Sequence, residues 1–498
     1  MSCAKFPQPT SALYGICNRP LLLPHPRPKV GSEKALEFIT EVSPIFLASP
    51  QQLDMAALVD AGEPKLLRGG VWPQAVGWTW NDMDATLQGE TMSGVLLTDD
   101  VDYAPTDDRS PLGQLLKPPA SANTSVRNVS AEWIIGNLRD ASERSGTTGA
   151  RHHFDGRRHL RWFGDVPEPL RIALQPSRAL YHSEFDHKAA MQYMWLSSSG
   201  SRTHTHFDND HNVFVQLIGT KRFVLWPPNQ SEALCPYPRL HPLWHKSRAH
   251  FGAPDMRVPA CANYSRARAL ALDVQPGDLL YLPPWWWHTV ETRSPSLSLS
   301  TLSRWPELYN HLNALYTHKY LFDDLRRHDA RIYALRAFLV QLMRKAGAPR
   351  LIERILTQYS GLESVFELSE TAATKVAPSA LKPRDDNGRV GNVNGNNGAG
   401  TGVGSGRCSI DHRGTPMCRW CLSRVNFDVS IVWEEHLAML PEAVRAIALA
   451  ELVEELTAET LGAAEVLPFW RECLGQSSPP FFLTKAGSAE HEALWMLA

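Results

Sequence analysis

Residues 201–228 read SRTHTHFDNDHNVFVQLIGTKRFVLWPP. Three histidines (His204, His206, His211) and two aspartates (Asp208, Asp210) crowd the first eleven positions, ahead of the hydrophobic runs VFVQLI and KRFVLW. Histidine and aspartate are poor strand formers, and burying their charge is costly unless they are paired or ligate a metal. In a strand, side chains two apart share a face, so His206 and Asp208 offer an imidazole and a carboxylate to one point. With a second histidine from elsewhere, they complete a 2-His-1-carboxylate set, which leaves coordination positions open on Fe(II).

The segment after the pair sharpens this reading. Gly219-Thr220 suits a two-residue hairpin turn, which makes KRFVLW the returning strand. Asn212 and Gln216 share a face with Phe214. Lys221 opens the return strand, where a buried ammonium needs an anionic partner. No acid stands nearby in sequence, and a carboxylate ligand would supply one. The remaining histidine is expected on a later strand. DVQPGDLLYLPPWWWHTVE (273–291) offers a turn at Pro276-Gly277-Asp278, the strand LLYL and then His288.

A lone His-x-Asp is weak evidence. With 19 histidines, about one such pair arises by chance at ordinary aspartate frequency. His153 and Asp155 in HHFDGRRH form another, and His182 and Glu184 in YHSEFDH form a His-x-Glu. Neither leads into a long alternating strand, so both are read as solvated or capping groups. His204 and His211 are read as supporting or surface groups.

Taken together, His206-Phe207-Asp208, Asn212, Gln216, Gly219, Lys221 and GDLLYLPPWWWH resemble the JmjC-domain family of Fe(II)/2-oxoglutarate oxygenases. The nearest likeness is to its hydroxylase branch, typified by factor inhibiting hypoxia-inducible factor. The resemblance is specific over about 160–305, where WFGDVPEPL also fits, loose over 41–160 and absent after about 350. It implies an α+β chain with a double-stranded β-helix (jelly-roll, cupin-like) core, helical flanks and a C-terminal helical extension. It implies Fe(II) held by His206, Asp208 and His288, with 2-oxoglutarate and O2 as cosubstrates. It assigns Lys221 to the distal carboxylate of 2-oxoglutarate, Thr203 to a hydroxyl assisting it, and Asn212 to the pocket near the cosubstrate. Ser303 stands where the asparaginyl hydroxylase carries an asparagine.

Bulk composition is that of an ordinary globular chain: 498 residues, 43% hydrophobic, 20% charged, with 50 basic against 52 acidic residues. Near-neutrality gives no electrostatic footprint for nucleic acid. Eight cysteines are too few for a disulfide framework, and Cys3, Cys17, Cys235, Cys261 and Cys473 are scattered. This favours an intracellular setting, cytoplasmic or nuclear. No stretch approaches the roughly 20 apolar residues of a membrane span. The N-terminus lacks a secretory h-region and reads as a flexible tail or, with no acid before Glu33, a transit peptide.

The expected organisation is an irregular tail over 1–40, a mixed region packing on the core over 41–165, the catalytic jelly roll over 166–305 and helices over 306–372. A disordered Gly/Asn-rich linker follows over 373–407, then a Cys/His segment with helices over 408–498. Ser49 is a candidate cap for a helix over SPQQLDMAALVDAG. Ile332, Leu335, Leu339 and Leu342 line one helix face, to pack on the β core or on a second copy of the chain. Cys408, His412, Cys418 and Cys421 are either ordinary thiols or a structural zinc set. The leading functional reading is a hydroxylase acting on a protein or RNA side group. The alternatives are a lysine demethylase and a catalytically silent JmjC scaffold.

Overall fold

The computed structural model describes residues 40–41, 45–47, 54–98 (apart from 70, 71, 73 and 75), 102–103, 125–145, 159–174, 191–303 (apart from 250 and 252–257), 306–362 and 419–474. The pairs at 153/155 and 182/184, Ser49, the 383–407 linker and Cys408, His412 and Cys418 lie outside the described residues. Two units are distinguished. The first comprises Met1–Asp108, Lys117–Tyr237 and Pro242–Asn310; the second comprises Arg109–Leu116, Pro238–His241 and His311–Ala498.

The strands of the first unit are β1 (Thr40–Glu41), β2 (Ile45–Leu47), β3 (Lys65–Gly69), β4 (Thr91–Thr98), β5 (Asp102–Tyr103), β6 (Ser125–Ser130), β7 (His159–Asp165), β8 (Met191–Ser197), β9 (Arg202–His206), β10 (His211–Ile218), β11 (Lys221–Trp226), β12 (Leu270–Val274), β13 (Leu279–Leu282), β14 (Trp287–Thr292) and β15 (Ser296–Ser303). They form a six-stranded sheet, β1-β12-β11-β14-β9-β5, and a nine-stranded sheet, β2-β3-β13-β10-β15-β8-β7-β4-β6. Phe214, Leu280 and Leu282 of the larger sheet share one apolar cluster with Phe223, Leu225, Leu272 and Val274 of the smaller. The two sheets therefore enclose a common interior, as in a jelly roll. Of the strands from 45–165, β2, β3, β4, β6 and β7 extend the larger sheet and β5 edges the smaller, so this region does more than pack against the core.

The two runs that open the sequence argument do form strands, but not a hairpin. β10 pairs with β13 and β15, and β11 pairs with β12 and β14. Gly219-Thr220 is the crossing from one sheet to the other. Gly219 has φ 74°, and a Cβ there would meet the Pro295 carbonyl oxygen at 2.1 Å. The β14–β15 crossing lies against it, with the Arg293 N–H donating to the Thr220 carbonyl at 2.8 Å. The reason is burial. Every residue of β10 is buried, because Val213, Val215 and Leu217 face a second cluster while Phe214 faces the interior.

That second cluster is built with helices α1 (Met55–Ala61), α2 (Trp80–Thr86), α3 (Ala131–Ser145) and α4 (Glu168–Leu174), through residues such as Leu58, Met83, Ile134 and Leu170. Asp54, not Ser49, caps α1, accepting the Ala57 N–H at 3.1 Å. Cys235 and Cys261, read as scattered, are joined by a disulfide.

Helix α5 (Pro306–Thr317) runs across the boundary at Asn310, and the second unit contains α6 (Leu321–Asp324), α7 (His328–Lys345), α8 (Leu351–Tyr359), α9 (Arg419–Ser430), α10 (Glu442–Leu461) and α11 (Val466–Phe469). Leu335, Leu339 and Leu342 are buried, and α7 packs on α6, α9 and α10. Neighbouring helices of the same unit thus cover this face. Cys421 is buried and disulfide-bonded. Inside the unit, Arg239 pairs with Glu455, and the Tyr359 hydroxyl donates to Glu454 at 2.6 Å. Burial raises Glu451 to about 8 and Glu454 to about 7 against the pull of Arg239. No helix of the described residues is long and apolar enough to cross a membrane.

Candidate metal centre

Antiparallel pairing of β9 with β14 sets His206 directly opposite His288. Asp208 follows in the loop after β9, where the Trp285 N–H donates to its carbonyl at 2.8 Å. Trp285 adopts φ 60°, an unusual backbone for a bulky residue. The aromatic run 285–287 thereby ties the loop carrying Asp208 to the strand carrying His288. Behind the site, Phe207 packs edge-on against Trp287, with ring centroids 4.8 Å apart.

The ligand atoms converge. His206 Nε2 lies 3.9 Å from Asp208 Oδ1, and His288 Nε2 lies 3.7 Å from Asp208 Oδ2. Among the described residues this is the one group of three or more such side chains whose ligand atoms all fall within 4.8 Å of one another. Donors bound at roughly 2.1 Å to one ion are at most about 4.2 Å apart, so both spacings suit a shared metal. The tautomers suit it too. His206 Nδ1 faces the His204 carbonyl at 2.7 Å and His288 Nδ1 faces the Trp286 carbonyl at 2.9 Å. A carbonyl only accepts, so Nδ1 carries the proton on each ring and Nε2 keeps its lone pair for a metal. Burial, with His288 and Lys246 nearby, holds His206 well below the usual histidine range, in the neutral form that ligation needs. His288 is 5% exposed, whereas His206 and Asp208 are 23% and 26% exposed, so the centre opens on one side.

Past the histidines, the same strands line a cavity. Thr203, Val290, Thr292, Trp195 and Lys221 are among its walls. Thr203 Oγ1 accepts the Val290 N–H at 3.0 Å, which spans the irregularity between His288 and Val290 in the β9–β14 ladder. It therefore helps hold the register of the two ligands while facing the cavity. Lys221 is buried, donates to Ser298 Oγ at 2.8 Å and lies 5.5 Å from the Phe214 ring centroid. The partner expected to be an anion is thus a neutral hydroxyl, and burial lowers the ammonium to about 7. Asn212 is buried, and its Oδ1 has no hydrogen-bond partner among the described residues. Such orphaned atoms are uncommon, and a polar ligand would satisfy this one.

Ser303 is the exception among the expected residues. It pairs with His211, while Asn212 pairs with Leu302. Directly opposed residues share a face, so Ser303 points with His211, away from Asn212. The serines of β15 on the interior face are Ser298, which binds Lys221, and Ser300, which accepts the Trp195 indole N–H at 3.1 Å. The extra histidines are structural. His204 Nε2 donates to the Ser247 carbonyl at 2.6 Å, and His211 Nδ1 is 2.7 Å from the Tyr281 hydroxyl. The sequence signal for Ser298 was the alternation SLSLS, with leucines on the helix-covered face and serines inside.

A family model described as a cupin-like domain matches residues 50–305. The chain is 32% identical over 106 residues to Jumonji C domain-containing protein 5 of Drosophila melanogaster, covering 21% of this chain and 26% of that protein. It is 29% identical over 115 residues to lysine-specific demethylase JMJ31 of Arabidopsis thaliana, covering 23% and 21% respectively. It is 34% identical over 107 residues to the HSPB1-associated protein 1 homolog of Danio rerio, covering 20% and 23%. In each case the match spans about a quarter of the relative's length or less.

Proposed function

The chain belongs to the cupin-like domain family, among its JmjC members, and from that premise we propose that it is an Fe(II)- and 2-oxoglutarate-dependent oxygenase that hydroxylates a side group of a protein or RNA. The observation that carries this is the convergence of His206 Nε2, His288 Nε2 and the Asp208 carboxylate, with both Nδ1 atoms committed to backbone carbonyls. Fe(II) bound by these three residues would couple the oxidative decarboxylation of 2-oxoglutarate to oxidation of a substrate C–H bond.

The chain's own groups have separable tasks. His206, Asp208 and His288 would occupy one face of the ion and leave the opposite face for ligands. Lys221, buried beside Ser298, would meet the far carboxylate of 2-oxoglutarate. Thr203 would line the path between, and Asn212 Oδ1 would accept a hydrogen bond from a ligand or water. Trp195, Phe214 and Val290, near Lys221 or in the cavity wall, would exclude bulk water and so strengthen the ionic contact. The exposed flank at His206 and Asp208 would admit the substrate.

A second reading, lysine demethylation, is favoured by the names of the two Arabidopsis thaliana relatives, JMJ31 and JMJ30. Both chemistries use the same centre and differ in the carbon oxidised. Incubating purified protein with Fe(II), 2-oxoglutarate and cell extract, followed by mass spectrometry, separates them. Hydroxylation adds about 16 Da to a product, whereas demethylation leaves a methyl-depleted product and formaldehyde. Neither product, together with no 2-oxoglutarate turnover, would leave the scaffold reading in place of both.

A further inference from the structure

The cavity beside Lys221 has a second cation in its wall, on a strand that carries no metal ligand. Arg161 of β7 is 9% exposed and lines the same cavity as Lys221. Strand register places the two at one level of the barrel. Arg161 pairs with Ser197 on β8, and Ser197 Oγ is 3.0 Å from Thr292 Oγ1. Thr292 in turn pairs with Lys221 across β14 and β11. The metal-ligating His288 is paired with Leu225, four residues further along β11. Arg161 and Lys221 thus share the end of the cavity remote from the metal centre. None of the described lining residues is acidic.

We propose that Arg161 and Lys221 together clamp the distal carboxylate of a dicarboxylate cosubstrate, and that Arg161 makes this site selective for dicarboxylates over monocarboxylic 2-oxo acids. The inference rests on the oxygenase reading above. A carboxylate offers two oxygens, and a guanidinium fork matches them in a way that an ammonium does not. Burial leaves Lys221 near half-protonation around neutral pH, whereas an arginine stays charged. A two-cation clamp therefore keeps a positive partner for the carboxylate across the pH range in which the lysine titrates.

The test is calorimetric titration of the Mn(II)-loaded full chain with 2-oxoglutarate and with 2-oxopentanoate, which replaces the distal carboxylate by a methyl group. The variants are Arg161→Gln, Arg161→Lys and Lys221→Ala. Arg161→Gln is expected to weaken 2-oxoglutarate binding by about 10- to 150-fold, the loss of one charge-assisted hydrogen-bonded contact. 2-Oxopentanoate affinity is expected to stay within about twofold, and Arg161→Lys to recover part of the loss. Because both ligands enter the same cavity, a parallel loss of both marks a folding effect and overturns the selectivity claim. Unchanged 2-oxoglutarate affinity in Arg161→Gln, alongside a loss in Lys221→Ala, removes Arg161 from the clamp and leaves the oxygenase reading standing. Wild-type protein that binds Mn(II) but no 2-oxoglutarate overturns both.

Discussion

Cosubstrate binding should take up a proton at Lys221. Lys221 is 5% exposed, and its ammonium donates to one neutral hydroxyl at 2.8 Å and is flanked by the Phe214 and Trp195 rings. Burial alone lowers it to about 7, and Arg161 in the wall of the same cavity is another cation. A carboxylate beside it favours the charged form and drives its pKa back toward the ordinary lysine value of about 10.4. The sign follows from linkage. Below about pH 7 the lysine is charged before and after binding, so affinity is flat. Above it, binding must first recharge the amine, so affinity falls about tenfold per pH unit until the bound-state pKa is reached. At pH 8 the free protein has lost about 0.9 of this proton, which is then the uptake per ligand bound. Titrating Mn(II)-loaded protein with 2-oxoglutarate at pH 8, in two buffers of different ionisation enthalpy, measures that number directly. Lys221→Ala should abolish the uptake and weaken binding at pH 7 by about 10- to 150-fold. Equal affinity at pH 7 and pH 9 in the wild type, with no buffer dependence, would refute the placement of Lys221 against the ligand carboxylate.

Three further outcomes are expected. Alanine at His206, Asp208 or His288 should abolish stoichiometric Fe(II) or Mn(II) binding, as read by metal analysis after gel filtration. Alanine at His153 or Asp155 should leave it intact, and the reverse pattern would transfer the site to the upstream pair. Gly219→Ala puts a side chain at φ 74° and 2.1 Å from a carbonyl oxygen. The backbone term alone costs about 1–2 kcal/mol, so a thermal midpoint equal to wild type would show that the sheet crossing is not held as described. In the helical unit, the folded state holds protons on Glu451 and Glu454, raised to about 8 and 7, that the unfolded chain releases above about pH 4.3. Their stability contribution is fully present below that pH and declines as pH rises toward 8. Glu451→Gln should therefore flatten the decline of the melting temperature between pH 5 and pH 8, and an unaltered slope would exclude Glu451 as its source.

The candidate centre was legible because its signal is local. His206 and Asp208 stand two apart at the end of a strand, and Lys221 opens a strand whose other inward positions are apolar. The β fold and the later helices were legible from the same periodicities. What escaped was set by partners distant in sequence. Gly219 has the positive φ that a hairpin requires, but a crossing between sheets requires the same conformation. The ladder pairs β10 with β13 and β15 rather than with β11, partners that its own residues do not announce.

The same non-local cause misplaces Ser303 and hides Ser298. A polar residue in an alternating strand is ordinarily assigned to the solvent side. Here helices cover the outside, so Leu297 and Leu299 point out into that layer while Ser298 and Ser300 point in toward Lys221 and Trp195. Arg161 is concealed similarly, since RRHLR reads as a solvated basic run until β7 turns Arg161 into the barrel. Ser303 lies on β15, whose faces alternate, and its odd-numbered positions turn away from the interior. Asn212 lies opposite Leu302, and a polar contact supplied by β15 to a ligand beside Lys221 must therefore come from an even-numbered position. Ser298, already bonded to the Lys221 ammonium, satisfies that condition.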